Sequence, residues 1–266
     1  MPGRDVTLQA LAAVTADAAE RAMAYWGVDN SALRHWEKEP GQPVSNADLL
    51  VDEHLKKTLR VLAPDAAWLS EETVDDPVRI GSERLWLVDP IDGTRDFVRG
   101  RPGWAVSVAL AERGEIVLAA LAAPARNEIW LAAKGQGATR NGQRLRASIR
   151  GKLPGARVPA ETLPRVDRDL VTVYKPNSIA LRMAMVAADE ADLVATVRWG
   201  AEWDIAASSL VATEAGATVT DALGQTLAFN RERPVALGML CCAPAIHGDA
   251  VERLRERVAG VQQQDG

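Results

Sequence analysis

The feature that most restricts the fold of this chain is an apolar run that ends abruptly in acidic residues. Leu85, Trp86, Leu87 and Val88 follow one another without polar alternation. A short apolar run of this kind is typical of a strand buried on both faces, because a half-exposed strand alternates apolar and polar residues. The run therefore predicts a central strand with helices against its sheet.

Two aspartates, Asp89 and Asp92, close this run in the sequence DPIDGT. Pro90 fixes its own backbone and keeps Asp89 out of the helical region, and Gly93 accepts conformations that other residues resist. Two acids held together at the end of a rigid strand repel each other unless a proton or a cation intervenes. Mg²⁺ prefers such hard oxygen ligands, so we expect a magnesium site here.

Gly93 and Thr94 extend the same loop toward a second kind of ligand. If a helix begins here, its first backbone N–H groups point outward and form a natural site for phosphate oxygens. The Thr94 hydroxyl is able to hold a water or a substrate oxygen. We therefore expect one loop to combine metal and phosphate binding.

Three more acids stand at predicted element boundaries and are candidates for the same site. Asp48 lies near a helix start, Glu71 follows an apolar pair, and Asp204 begins a helical segment. Each also has an ordinary structural interpretation as a helix-end residue or a solvated side chain. The three histidines form no HExxH pattern or cluster with the cysteines, so transition-metal chemistry has little support.

Charge and composition argue against several classes of partner. The net charge of -5 gives no broad attraction to a nucleic acid polymer or an anionic membrane. No run approaches the roughly 18 to 20 apolar residues of a membrane span, and the opening stretch is too short for a convincing signal peptide. We expect a cytoplasmic protein.

The adjacent Cys241 and Cys242 are expected to be apolar core residues rather than a disulfide.

Periodicity divides the chain into two parts. In the first part, helical patterns at 6–25 and 45–62 precede strand-like runs at 67–69, 85–88, 105–111, 116–122 and 129–132, with tight reversals at 113–114 and 141–142. After a loop rich in Pro, Gly and Arg, the second part alternates strands at 170–174, 192–197 and 237–242 with helices at 178–188 and 204–215 and a last charged helix. We predict one domain, 1–266, with subdomains of about 1–150 and 151–266.

Three stretches resemble the signatures of the inositol monophosphatase superfamily. They are SEET at 70–73, DPIDGT at 89–94 and WDIAASSLVATEAG at 203–216, and VSNAD at 44–48 and KGQGATRNGQRL at 134–145 also resemble family segments. The resemblance implies a layered αβαβα sandwich. It further implies a Mg²⁺-dependent phosphomonoesterase with two or three metal ions, usually lithium-sensitive and often a homodimer.

The resemblance also implies roles for the matching residues. The metal ligands are expected to be Glu71, Asp89, Asp92, Asp204 and the backbone carbonyl of Ile91, with Asp92 bridging two ions. Glu71 and Thr94 orient the attacking water, and Asp48 supports that water or lies on a further weak metal site. Asp92, Gly93 and Thr94 are expected to hold the phosphate.

The expected substrate is a small phosphorylated metabolite. Inositol-preferring members carry an acid several positions before the Trp-Asp pair, and residues 195–198 contain none. GTRDF, AEWDIAA and LAFN more closely resemble the branch that removes the 3′-phosphate from adenosine 3′,5′-bisphosphate, where Arg95, Arg198 and Trp199 are candidates to hold the second phosphate and the base. Open alternatives are an inositol monophosphatase, a histidinol-phosphate or sugar-phosphate phosphatase, and a scaffold that mainly binds a regulatory partner.

Overall fold

The computed structural model describes residues 6–27 and 30–262. In chain order, the first elements are α1 (Leu8–Met23), β1 (His35–Glu39), β2 (Gln42–Ser45), α2 (Asn46–Leu62), β3 (Ala67–Ser70), β4 (Arg84–Asp92), α3 (Thr94–Val98), β5 (Ala105–Glu112), β6 (Glu115–Ala123), β7 (Glu128–Ala133), β8 (Gly137–Arg140) and β9 (Gln143–Arg144). They are followed by β10 (Arg157–Pro159), β11 (Val171–Val173), α4 (Ile179–Ala187), β12 (Leu193–Ala201), α5 (Glu202–Glu214), β13 (Thr218–Thr220), β14 (Val235–Cys242) and α6 (His247–Gln262).

These elements stack in five layers. Helices α1 and α2 pack against a seven-stranded sheet of order β3-β4-β5-β6-β7-β8-β9. Helices α4 and α5 fill the space between this sheet and a three-stranded sheet of order β12-β14-β13, and α6 packs against the latter. The arrangement confirms the predicted αβαβα sandwich.

Strand β4 is the buried central strand that the apolar run predicts. Leu85, Trp86, Leu87 and Val88 are each at most 1% exposed. Leu85 and Leu87 join the core shared with α4 and α5, whereas Trp86 and Val88 join the core shared with α1 and α2. The absence of polar alternation thus follows from a sheet that is covered on both faces.

The strand continues past its apolar part as far as Asp92, four residues beyond the predicted end at 88. Asp89 stands opposite Ser107 and Asp92 stands opposite Ala105, so the register shifts between them. Pro90 lies within this bulge and has no backbone N–H to lose from the ladder. The bulge lets a proline and two acids belong to the end of a central strand.

Most of the other predicted elements are confirmed, including both tight reversals. In the second of these, Asn141 and Gly142 have φ of +52° and +77°, which is the geometry of a two-residue hairpin turn. The β1–β2 hairpin was not predicted. All five residues of β1 are exposed, and the sequence HWEKE shows no alternation that would identify a strand.

Cys241 and Cys242 are free and fully buried, which confirms their prediction as core residues.

Within residues 6–27 and 30–262, no helix combines the length and apolar character needed to cross a membrane. Residues 1–5, which belong to the stretch considered for a signal peptide, lie outside the described residues. The cellular compartment and the division into two subdomains stay predictions.

Candidate active site

One cavity of about 480 Å³ collects most of the predicted site residues. Its lining includes Glu71, Asp89, Ile91, Asp92, Gly93, Thr94, Arg95 and Asp204. These residues come from three separate parts of the chain: the segment after β3, the end of β4 with the start of α3, and the first turn of α5. The fold therefore brings together acids that are far apart in sequence.

Asp89 is the most enclosed acid of the group, with 2% of its surface exposed. Its Oδ1 accepts a hydrogen bond from the backbone N–H of Ile91 at 3.0 Å. Burial raises the pKa of Asp89 well above its usual range, and the charges of Glu71, Asp92, Asp204 and Asp48 raise it further. A proton or a cation near this carboxylate relieves that repulsion.

Asp92 links β4 to the first turn of α4. Its Oδ2 accepts hydrogen bonds from the Ser178 hydroxyl at 2.5 Å and the Ala180 N–H at 2.7 Å, and its Oδ1 accepts one from the Ile179 N–H at 3.2 Å. Burial raises the pKa of Asp92, and these hydrogen bonds partly oppose the rise. The carboxylate thus has a structural contact as well as a place in the cavity, and this contact was not predicted.

Glu71 faces a lysine that sequence reasoning missed. Lys38 Nζ lies 3.5 Å from Glu71 Oε1 and 2.5 Å from Glu72 Oε1, and Lys38 itself lines the cavity. Burial raises the pKa of Glu71, and the positive charge of Lys38 opposes the rise. Only the unpredicted β1–β2 hairpin brings Lys38 to this place, so no local sequence signal could have found it.

Thr94 connects the cavity to a buried acid behind it. Thr94 Oγ1 lies 3.1 Å from Asp48 Oδ1 and 3.0 Å from the Ile91 carbonyl, and its hydroxyl proton serves one acceptor at a time. Asp48 Oδ2 accepts hydrogen bonds from the Ser45 N–H at 2.8 Å and the Ser45 hydroxyl at 2.5 Å, which completes the cap of α2. Burial raises the pKa of Asp48 to about 6. Asp48 is fully buried, is not among the described residues that line the cavity, and contacts Thr94, which does line it.

Gly93 has a conformation and a setting that exclude larger residues. Its φ is +98°, and a Cβ added there would lie 2.7 Å from the Gly103 carbonyl oxygen and 2.8 Å from the Ser178 nitrogen. Both features make glycine necessary at this point. The tight approach of the Gly103 and Ser178 backbones fixes where α3 begins.

Asp204 enters the cavity from the second half of the chain. It lies in the first turn of α5, and burial raises its pKa well above the usual range, with further increases from the charges of Asp92 and Glu71. The preceding Glu202 accepts the backbone N–H groups of Asn230 at 2.7 Å and Arg231 at 3.1 Å. These contacts anchor the start of α5 and with it the position of Asp204.

Two predicted substrate residues lie elsewhere. Arg198 and Trp199 are on β12, and neither is among the described residues that line the cavity. The Arg233 guanidinium lies 5.3 Å from the Trp199 ring centroid. Their predicted contacts with substrate stay predictions. Conversely, Asn177 lines the cavity and was not predicted.

The acids that line the cavity share a chemistry suited to magnesium. In the part of the chain that the structure describes, no three His, Cys, Asp or Glu side chains are arranged closely enough to hold a metal ion. Asp92 is engaged by α4, and Glu71 faces Lys38. The candidate donors are four carboxylates and the Ile91 carbonyl, all of them hard oxygens of the type that Mg²⁺ prefers. The donor set fits Mg²⁺, and binding requires side chains to exchange their present partners for the ion.

Comparison with known proteins identifies the family. The model of the inositol monophosphatase family matches residues 4–259. The chain belongs to this family. A solved structure of the Thermotoga maritima IMPase superposes with a TM-score of 0.81 at 29% identity, covering 96% of this chain and 98% of the other.

Relatives within the inositol monophosphatase family carry different names. The chain is 33% identical over 248 residues to the fructose-1,6-bisphosphatase/inositol-1-monophosphatase of Thermotoga maritima, covering 89% of this chain and 91% of the relative. It is also 33% identical over 223 residues to the Nus factor SuhB of Pseudomonas aeruginosa, covering 77% and 82%. The family assignment confirms the resemblance in the sequence motifs.

Proposed function

We propose that this chain, a phosphatase of the inositol monophosphatase family, hydrolyses small phosphate monoesters with Mg²⁺ held in the candidate active site. One observation carries the proposal: four carboxylates from three separate segments line a single cavity. Their charges act on one another, as the raised pKa of Asp89 illustrates. Repulsion among these carboxylates is unfavourable unless a cation binds between them, so the arrangement indicates a cation site.

The proposed metal ligands are Glu71, Asp89, Asp92, Asp204 and the Ile91 carbonyl, which together hold two or three ions. When bound, Mg²⁺ neutralises phosphate charge, makes water a stronger nucleophile and stabilises the leaving oxygen. Asp92 would be one of the carboxylates that hold these ions. Its hydrogen bonds to the first turn of α4 hold the carboxylate at the cavity, and a ligand role requires Asp92 to exchange some of these partners for the ion.

The remaining residues orient the reactants. A water held by Glu71 and Thr94 attacks phosphorus, so that a new P–O bond forms while the bond to the ester oxygen breaks. Glu71 accepts a proton from the water, and the departing oxygen takes a proton from solvent, giving an alcohol and inorganic phosphate. Asp48 orients the Thr94 hydroxyl at 3.1 Å, and Gly93 and Thr94 bind the phosphate with Asp92 nearby.

The proposed substrates are adenosine 3′,5′-bisphosphate and related 3′(2′),5′-bisphosphate nucleotides, or inositol monophosphate. The absence of an acid at 195–198 favours the nucleotide, and Arg95 in the cavity lining supplies a positive charge. Histidinol phosphate and sugar phosphates are the alternatives within the same reaction class. One relative carries a fructose-1,6-bisphosphatase name, which supports testing sugar phosphates as well.

Phosphate release across these compounds, with Mg²⁺ titrated into protein stripped by EDTA, tests the proposal. We expect activity that appears with Mg²⁺ and is absent with EDTA. Failure to hydrolyse any compound at any Mg²⁺ concentration contradicts the proposed function. Equal activity on inositol phosphate and the adenosine bisphosphate contradicts the nucleotide preference.

A second candidate function is a regulatory role through a protein partner, because one relative is named a Nus factor. Retention of every proposed metal ligand favours the enzyme. The two functions separate in an Asp89→Asn variant, which we expect to lose hydrolysis and to keep any partner binding that does not use the active site.

Lithium inhibition and dimer formation are also proposals. An activity assay with LiCl tests the first, and sedimentation tests the second.

A further inference from the structure

A second cavity, of about 520 Å³, lies beside the candidate active site and shares Arg95 and Asn177 with it. We call it the basic cavity, and its charged lining consists of Arg95, Arg99, Arg101, Lys175, Asp96 and Glu161. Four cations therefore face two acids, although the chain as a whole has a net charge of -5. The active-site cavity next to it has the opposite charge balance, with more acidic than basic side chains in its lining.

The two acids only partly neutralise the basic cavity, because four cations and two acids leave a net charge of +2 in its lining. Asp96 is 9% exposed, and its Oδ2 accepts the backbone N–H of Asn177 at 3.0 Å. The Glu161 side chain is 81% exposed and lies 3.9 Å from Lys175 Nζ, at the limit of an ion pair. An exposed contact of this kind contributes little. The positive charge of the cavity is therefore available to a ligand.

The case for anion binding in the basic cavity depends mainly on Arg99 and Arg101. In the described ranges, neither guanidinium has a hydrogen-bond or ion-pair partner. Some other arginines of the chain have a carboxylate partner, such as Arg157, whose Nη2 lies 2.7 Å from Asp192 Oδ1. Two guanidinium groups that lack partners and line the same concave surface form a site suited to an anion, because the planar fork matches phosphate oxygens.

The position of α3 sets the distance between the two sites. Arg95 and Arg99 are four residues apart along α3 and its C-cap, so their Cβ atoms lie about 5–6 Å apart on one face. Arg95 stands at the border of the two cavities, where its Nη2 donates to the Gly41 carbonyl at 2.5 Å. An anion at Arg99 therefore lies roughly one helical turn beyond the Gly93–Thr94 loop.

We propose that the basic cavity binds a second, uncleaved phosphate of a bisphosphorylated substrate through Arg99, Arg101 and Lys175. This inference rests on the proposed function, because the first phosphate occupies the candidate active site. The volume is within the range of small-ligand sites. The cavity thus selects compounds with two phosphates over compounds with one.

The test compares matched substrate pairs that differ only in the distal phosphate: adenosine 3′,5′-bisphosphate with adenosine 3′-monophosphate, and fructose 1,6-bisphosphate with fructose 1-phosphate. For each pair, the measured quantity is the ratio of kcat/KM for the bisphosphate to kcat/KM for the monophosphate. In the double variant Arg99→Ala/Arg101→Ala, this ratio is expected to fall about 10- to 100-fold for the substrate pair that the wild-type protein hydrolyses more efficiently. The fall is expected to come from a higher KM for the bisphosphate. The control is Arg60→Ala/Arg255→Ala, which removes two exposed charges from other helices and is expected to leave the ratio unchanged.

An unchanged ratio in the Arg99→Ala/Arg101→Ala variant overturns the proposal, and so does an equal fall in the control. A change of oligomeric state with an unchanged ratio also overturns it and points to an interface between copies of the chain. If wild-type protein hydrolyses neither these four compounds nor inositol phosphate nor histidinol phosphate, the proposed function fails by itself. The basic cavity is then tested by calorimetric binding of the same pairs, where loss of the bisphosphate preference in the variant supports it and its persistence overturns it.

Discussion

The Ser178 hydroxyl donates a hydrogen bond to Asp92 Oδ2 at 2.5 Å and so joins the end of the central strand β4 to the start of α4. Ser178 also accepts the Leu181 N–H at 2.9 Å, which caps the same helix. One acid of the candidate active site is thus part of a contact between the first and second halves of the chain. Substitutions at Asp92 are therefore expected to affect both stability and activity.

Asp92→Asn is expected to lower kcat at least about 100-fold, because it removes the charge of a proposed metal ligand. It is also expected to cost about 1–2 kcal/mol of unfolding free energy, since the amide nitrogen cannot accept the hydrogen bonds from α4. Phosphate release and urea unfolding measure the two effects. Ser178→Ala is the matched control: it weakens the same contact and keeps the carboxylate, so it should lose stability and retain most of the activity. Equal losses of activity in both variants would show that Asp92 acts only through structure.

Glu71→Gln is expected to reduce kcat by at least about 100-fold with a much smaller change in KM, because Glu71 is proposed to accept a proton from the attacking water. Glu72→Gln provides the comparison, since Glu72 also contacts Lys38 and does not line the cavity within the described residues. Steady-state kinetics at saturating Mg²⁺ separate the two constants. A change confined to KM in the Glu71 variant contradicts its proposed role.

Gly93→Ala is expected to destabilise the protein by more than the usual cost of a left-handed alanine, which is about 1–2 kcal/mol. The added Cβ would lie 2.7 Å from the Gly103 carbonyl oxygen, where backbone has to move. Gly216→Ala is a close control, because its φ of +99° matches the +98° of Gly93 and no atom lies within 4 Å of its added Cβ. Urea unfolding of both variants measures the difference, and equal losses would show that the tight backbone approach has no energetic weight.

The pKa of Asp192, a residue outside the candidate active site, predicts that the protein loses stability in acid. Burial favours a higher pKa, but hydrogen bonds from Arg157 and Ser148 outweigh it and lower the pKa to about 2. A pKa lowered in the folded state stabilises the protein above the unfolded value near 3.8, and this contribution disappears as the pH falls toward 2. We expect about 2 kcal/mol to be lost over that window.

Urea unfolding between pH 5 and pH 2 in EDTA measures this loss. Asp192→Asn should show a flatter dependence on pH than wild type, and Asp65→Asn, whose side chain is 53% exposed, should keep the wild-type dependence. Parallel curves for wild type and the Asp192 variant would contradict the assignment.

The central strand and the acidic loop that follows it could be predicted because their signals are local, whereas the layered sandwich was expected from the family resemblance. The apolar run at 85–88 identified the central strand, although the strand continues through Pro90 and ends at Asp92, just before Gly93. Asp89, Asp92 and Thr94 lie in one short motif, so their approach follows from chain connectivity. The meeting with Glu71 and Asp204 was expected from the family resemblance, and the fold brings all of them to one cavity.

The contacts that were missed depend on segments without a local signal. Lys38 reaches Glu71 from the exposed strand β1, which has no hydrophobic periodicity, and Asp92 contacts the start of α4 across 86 residues of sequence. Arg99 and Arg101 were not singled out in the sequence, and the fold places them in the lining of one cavity with Lys175. Such relationships arise from packing between elements that are distant in sequence, which no pattern within one element records.

The most direct test of the central claim is calorimetric titration of Mg²⁺ into EDTA-stripped protein, compared with the Asp89→Asn/Asp204→Asn double variant. Wild-type protein is expected to bind two or three ions, and the double variant is expected to bind fewer ions or to bind them at least about tenfold more weakly. Absence of Mg²⁺ binding by folded wild-type protein, or equal binding by the double variant, would contradict the claim that these carboxylates form a magnesium site.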